Sequence, residues 1–438
     1  MYKKLKRSSY VLFVMFFVLV MSFSLQASTF DSMEIGENGP VEIEYWHIQA
    51  TIYGEAVNEI VKEFNQDYAG KIKVNEIFQG SYNDLNKKIR ASIMGGGLPN
   101  VAMAYEGDTL EYMKTDKIVI LNKYIDSNKY GVSKEEMDDI MDGVLARQNI
   151  PQYSGKTMSW PHGNSSMGIY YNKDLLSKAG YDRPAETWKE FEKQVISIYE
   201  KTGVPALAIG SGNLGGSFKI WLRTYGINPV SEDGKSVNFD NPHAVELLTI
   251  LDNMLESGAV YFADNTEQEF TNGSCVFEIG TTARTSTKIQ LIKDKFDWGI
   301  TLIPQGTLKT KSTGLWGGNH VMFKSTPEKQ LASWIFMKYF AGSKAQSIYG
   351  AKTGYFPATI SSQDISLLKT NYTVNPQKRQ AFEEVFPYAR ITVPSAASRA
   401  IDNAVGKAIE LTLKDNVDPA KAVRKAHLDA NKVLKQYQ

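Results

Sequence analysis

Two residues stand where a small molecule could be gripped. Tyr82 opens a helical stretch, and Glu106 follows the short apolar run LPNVAMAY at 98–105. An ionised carboxylate only accepts hydrogen bonds and a phenol can donate them, so the pair suits a ligand carrying hydroxyl groups. Signs of catalysis are harder to find. The five histidines (His47, His162, His243, His320, His427) are scattered, with no pair at metal-ligand spacing. The chain has neither a P-loop nor a G-x-S-x-G nucleophile elbow. A secreted polysaccharide hydrolase needs two carboxylates at a defined separation, and Glu106 has no convincing partner. Cys275 is the only cysteine, which excludes an intramolecular disulfide; within FTNGSCVFEIG it reads as a small buried thiol in a strand. Gly95-Gly96-Gly97 lacks the G-x-G-x-x-G spacing and ends a helix, so it reads as a helix stop. No enzyme activity, metal or cofactor is expected.

The elements that must position these residues alternate. A strand at Val41 to Ile48 precedes a helix from about Ile52 to Phe64, whose Val57, Ile60, Val61 and Phe64 share one face. The alternating segment Lys71 to Phe78 is a second strand, Tyr82 to Met94 a second helix, and 98–105 a third strand. This β-α-β-α-β order predicts a parallel sheet with helices on both faces. Ligands of such sheets bind outside the carboxyl ends of the strands, which is where Tyr82 and Glu106 fall. The theme returns at Met167 to Tyr171, a buried strand followed by a turn at Asn172, a helix and a Gly180 stop. Thr187 and Glu190 then form the spacing of a capping box. Further strands are expected at Ala206 to Ile209, Trp298 to Ile303 and Gly317 to Phe323, and a helical C-terminus is broken at Asp418-Pro419.

Residues 1–27 read as a signal peptide. Lys3, Lys4, Lys6 and Arg7 form a basic start, and the apolar run Tyr10 to Phe23 is shorter than the ~20 residues of a membrane span. No cysteine near the junction offers a lipid anchor, so a periplasmic destination is expected. Without those four cations, 45 Lys and Arg face 48 Asp and Glu, which leaves no electrostatic footprint for nucleic acid. The remaining ~410 residues exceed what one core usually supports, so two lobes are expected.

The order Y-N-K-D-L-x-x-K-A-G from Tyr171, followed by Pro184 and T-W-x-E-F from Thr187, resembles the extracellular solute-binding proteins of ABC importers, family 1. The match continues through EIEYWH, GSYNDL, YEG, NSS, F-x-N-G-x-C, GG at 317–318, KTGYFP and A-S-R at Arg399. The nearest resemblance is to the family's glycerol-3-phosphate-binding branch. It implies an α/β fold of two lobes, type II-like, each a mainly parallel sheet with helices on both faces and the ligand in the cleft between them. The N-terminal lobe is expected at about 40–150 and 290–325, the C-terminal lobe at 151–289 and 326–438. Position by position, the resemblance implies a site made of Tyr82, Glu106, Ser166, Trp188, Thr281, Gly318, Tyr355 and Arg399.

That set suits a phosphorylated polyol. Arg399 can fork to a phosphate, the hydroxyl side chains can donate, Gly318 lets backbone approach, and Glu106 takes polyol hydroxyls. Thr281 stands where the family has serine, and Arg284 is a further cation nearby. The expected function is capture of glycerol-3-phosphate or a glycerophosphodiester and delivery to the membrane permease of an ABC importer, by a monomer. The alternative is a sugar or oligosaccharide ligand, which would not need Arg399 and for which Trp46, Trp160, Trp188, Trp221 and Trp316 remain open.

Overall fold

The structure is a computed structural model that describes residues 31–437 except 211 and 213; the expected signal peptide lies outside the described residues. Twelve strands are described: β1 Val41–His47, β2 Ile72–Phe78, β3 Val101–Ala104, β4 Trp160–Pro161, β5 Ser165–Asn172, β6 Leu207–Ile209, β7 Val260–Phe262, β8 Phe277–Thr281, β9 Trp298–Leu302, β10 Thr313–Trp316, β11 Asn319–Met322 and β12 Ala389–Arg390. They form two sheets. The first runs β2-β1-β3-β11-β4, and the second β12-β10-β5-β8-β6-β7, with β9 also on β5.

In the first sheet β1 pairs in parallel with β2 and β3, as the alternating order predicts, and β11 and β4 close it antiparallel. The second sheet is mixed, not mainly parallel. Its central strand β5, buried at all eight positions, runs antiparallel to β8, β9 and β10. A continuous apolar run signals a strand covered on both faces but says nothing about its neighbours' direction.

Each sheet carries its own core. One core gathers Tyr45, Ile60 and Phe64 with Met103, Val321, Trp334 and Phe340; the other gathers Ile169, Trp188, Phe191, Leu248 and Phe277 with Ile401 and Leu434. The lobe boundaries drawn from sequence need two changes. Strands β9 and β10, expected in the first lobe, pair with β5 of the second sheet. Helices Pro327–Ala341 and Ser343–Lys352, expected in the second lobe, pack into the first core. The reason is where the chain crosses: it returns to the first sheet at Gly317-Gly318, between β10 and β11, and is still in the first core at Ala358 before helix Pro376–Glu384 meets β9 through Gln380.

Three segments lie side by side at the junction of the two sheets: Gly163-Asn164, Gly317-Gly318 and Gly354-Tyr355. Gly163 donates its N–H to the Gly318 carbonyl (3.4 Å), and Asn164 and Phe356 exchange backbone bonds. Gly317 sits at φ +133° with the Gly163 carbonyl oxygen 1.9 Å from where a Cβ would be, so only glycine fits.

Candidate functional site

The cleft is built from its first-sheet face outward. Helix Tyr82–Gly95 begins at Ser81, whose hydroxyl accepts from the Asp84 N–H while Asp84 accepts from the Ser81 N–H (3.0 Å). That reciprocal cap fixes Tyr82 at the first helical position. Its ring stacks on Tyr105 with centroids 4.0 Å apart, and its hydroxyl is buried without a well-formed hydrogen bond. A Cβ on Gly318 would stand 2.5 Å from that hydroxyl, so the glycine is what lets Tyr82 approach.

Glu106 opens helix Glu106–Met113, where the helix dipole favours an acid. Its Oε1 takes every contact: Arg147 Nε at 2.7 Å, Arg147 Nη2 at 2.6 Å and Asn319 Nδ2 at 3.2 Å. Oε2 accepts nothing among the described residues, so its lone pairs stay open.

Arg147 was not among the expected residues. Its side chain is only 2% exposed. Beyond Glu106 it donates to Asn164 Oδ1 (2.8 Å) and to the Gly317 carbonyl, so one guanidinium holds the cleft carboxylate and two of the three junction segments. The signal was present in the sequence. Val144, Arg147 and Gln148 share one helical face, and all three are buried.

Two residues beyond Glu106, the buried carboxylate of Asp108 reaches across the cleft. It accepts Arg399 Nε (3.2 Å) and Nη2 (3.0 Å), and also Asn86 Nδ2 (3.0 Å). Arg399 adds a bond to Asn83 Oδ1. Three of its five N–H groups are thus engaged and two remain. Arg399 starts the helix Ser398–Asp415 of the second core, so this pair ties the two lobes together. A second tie is Tyr53, whose hydroxyl donates to the Ala283 carbonyl at 3.0 Å.

These contacts set Tyr82, Glu106 and Gly318 on the first-sheet face, with Arg399 joined to that face through Asp108; Tyr355 follows on the neighbouring segment and Thr281 stands at the end of β8. Tyr355 lies edge-on to Tyr53, and burial beside that ring pushes its phenol up to about 12. Thr281 ends β8, its hydroxyl accepting from the Ala283 N–H (3.3 Å), one residue before the Thr282–Ala283 backbone that packs on Gly354.

Residues 59–379 match the family of bacterial extracellular solute-binding proteins. The chain belongs to that family. Among its relatives, the sn-glycerol-3-phosphate-binding periplasmic protein of Pectobacterium atrosepticum is 24% identical over 380 residues, which span 79% of this chain and 80% of the relative. That of Brucella melitensis biotype 1 is 24% identical over 362 residues, 76% of this chain and 78% of the relative. Two solved structures share the fold at a TM-score of 0.78. The cyclic alpha-maltosyl-1,6-maltose binding protein of Arthrobacter globiformis is 22% identical, with 91% of this chain and 100% of that chain covered. UgpB of Mycobacterium tuberculosis, in complex with glycerophosphocholine, is 17% identical, with 91% and 99% covered.

Two expected residues of this solute-binding protein have their side chains buried and engaged within the second lobe. Trp188 is fully buried in the second core, its indole N–H donating to Thr224 Oγ1 (3.0 Å) and its ring against Trp221 and Phe191. As the first residue of its helix it points inward, so the T-W-x-E-F motif is a folding signal, not a contact. Ser166 is equally buried: its hydroxyl donates to the Gly314 carbonyl of β10 (2.8 Å) and its N–H to Thr282 Oγ1 just beyond β8 (2.9 Å), so it ties β5 to both neighbours. Arg284, the extra cation, is held by both oxygens of Glu267 and lies 5.8 Å from the Tyr53 ring centroid. Cys275 is buried in the bend that leads into β8, and its thiol is pushed up to about 12 by burial. Among the described residues no helix is long and apolar enough to cross a membrane.

Proposed function

We propose that this chain, a solute-binding protein of an ABC importer, binds glycerol-3-phosphate or a glycerophosphodiester in the cleft between its lobes. The observation that carries the reading is the first turn of helix Glu106–Met113. There Glu106 presents a free Oε2, and Asp108, two residues on, presents an Arg399 with two N–H groups to spare. An acceptor and a cation so close together read one ligand in one direction: hydroxyls on Glu106, phosphate on Arg399. Tyr82, Tyr355 and Thr281 supply further hydroxyls around it. The glycerol-phosphate names of the sequence relatives support the same choice. Export to the periplasm and a monomeric state complete the proposal.

A second reading has its own support. Arg399 is already bidentate on Asp108, which reduces the pull of its charge, and the Tyr82–Tyr105 stack offers a flat apolar surface of the kind that suits a sugar ring. Calorimetry of the protein from Ser28 onward, with glycerol-3-phosphate, glycerophosphocholine and maltotriose in parallel, separates the two. Heat with either phosphorylated compound and none with maltotriose is expected; the reverse pattern assigns the cleft to sugars.

A further inference from the structure

A second concavity lies outside the cleft. It has a volume of about 540 Å³ and is rimmed by four cations, Arg223, Lys309, Lys311 and Arg390, with no acidic residue in its lining. They come from three parts of the second lobe's edge. Arg223 ends helix Leu214–Arg223, Arg390 lies on edge strand β12 beside the start of β10, and the lysines sit on the connection from β9 to β10. From Thr313 to Trp316, β10 covers about 10 Å at strand spacing before the chain enters Gly317-Gly318, so the pocket and the cleft are at opposite ends of that strand.

The cations are poorly neutralised. Lys311 has Glu186 at 3.4 Å, and among the described residues the other three have no carboxylate within ion-pair distance. Arg223 donates Nη1 to Asn228 Oδ1 (2.7 Å), while its Nε is buried and makes no hydrogen bond. Among the described residues, Arg390 donates only to the carbonyls of Pro387 (2.8 Å) and Ala389 (2.9 Å). Burial and the neighbouring Arg390 charge pull the Arg223 guanidinium down to about 10. Ser312 donates its hydroxyl to the Arg223 carbonyl (3.0 Å), which fixes the residue in the wall. Two guanidinium groups that repel across one concavity, one with an unpaired buried donor, form an arrangement that an oxyanion would satisfy.

We propose that this pocket binds a phosphate oxyanion, independently of the ligand in the cleft. The planar forks of Arg223 and Arg390 match its tetrahedral oxygens, and Lys309 adds a point charge. The same chemistry is carried by free phosphate and by the headgroup of an anionic phospholipid, so two probes are needed.

The protein from Ser28 onward is titrated with inorganic phosphate, and separately sedimented with vesicles of phosphatidylglycerol and of phosphatidylcholine. A Glu106→Ala, Arg399→Ala background removes the cleft from the readout. Phosphate binding that survives in that background and weakens at least tenfold in Arg223→Gln, Arg390→Gln assigns a solute site. Sedimentation with phosphatidylglycerol alone, lost in the same variant, assigns a headgroup site. The single variants Arg390→Gln and Lys309→Gln change exposed residues and keep the test sound if the double variant misfolds; each is expected to weaken binding several-fold with an unchanged thermal midpoint. No binding of either probe in the cleft-deficient background, or binding indifferent to these substitutions, overturns the proposal.

Discussion

The two faces of the cleft are held in different ways. On the first-sheet face the polar groups are fixed from beneath: Tyr82 by its capped helix, and Glu106 by an arginine that is 2% exposed and grips the crossing strands as well. On the opposite face the cations are surface groups. Arg399 and Arg284 are 40% and 42% exposed, and each leans on a carboxylate, Asp108 across the cleft or Glu267 beside it. One face is thus preorganised and the other can exchange partners. A receptor that closes on a ligand can use both, the rigid half to orient the solute and the exchangeable half to release it.

The contrast breaks first at Arg147. Arg147→Met leaves Glu106, Asn164 and the Gly317 carbonyl without their donor, and a loss of roughly 3–5 kcal/mol in urea unfolding is expected, the range for breaking a buried ion pair. Equal stability in the variant would contradict the rigid-face account.

A pH series sharpens the same point. His162 and His320 lie beneath the first face with ring centroids 4.7 Å apart; burial holds His320 down to about 3 and His162 well below its usual value. Both are neutral when folded and take up protons only on unfolding. The stabilisation from His320 is complete above about pH 6.5 and is lost as pH falls from there towards 3, and that from His162 falls in the same direction, each at up to ~1.4 kcal/mol per pH unit. His162→Phe should flatten that slope between pH 7 and 5, read from urea midpoints.

Gly318→Ala tests the fit between the crossing strand and the cleft. The new methyl would meet the Tyr82 hydroxyl at 2.5 Å and Met103 Cε at 2.8 Å. A stability cost of about 1–3 kcal/mol is expected, together with at least tenfold weaker ligand binding. The smallest stability effect belongs to the exchangeable face. Arg399→Met should cost about 1–2 kcal/mol, less than Arg147→Met, because the guanidinium is half-exposed although the Asp108 carboxylate it leaves is buried and, among the described residues, keeps only its Asn86 donor on the side-chain side. A loss comparable to that of Arg147→Met would erase the distinction between the faces.

Much of this was legible in the sequence because local chemistry determined it. The strand-turn-helix around Asn172, the Gly180 stop and the Thr187 cap appear where the spacing put them, with Thr187 accepting from the Glu190 N–H. Gly96, at φ +87°, ends its helix as expected. Tyr82, Glu106 and Arg399 converge because the ends of the first sheet's strands and the crossing segments meet there. What failed was orientation. Whether Trp188 and Ser166 face the cleft or the core depends on which neighbours cover β5 and its helices, and those neighbours lie far away in sequence. Arg147 escaped notice because a lone arginine in an acidic stretch reads as solvated until its helical face is compared with Val144 and Gln148. The lobe boundaries moved for a similar reason: local patterns locate strands and helices, but not the point at which the chain changes sheet.

The most direct test is a calorimetric titration of glycerol-3-phosphate into the wild type, Glu106→Ala, Arg399→Ala and Trp188→Phe, each checked for folding by its thermal midpoint. The account predicts binding to the wild type, loss in the first two variants, and undiminished affinity in Trp188→Phe. Absence of binding to the folded wild type, or affinity unchanged in both Glu106→Ala and Arg399→Ala, would contradict it.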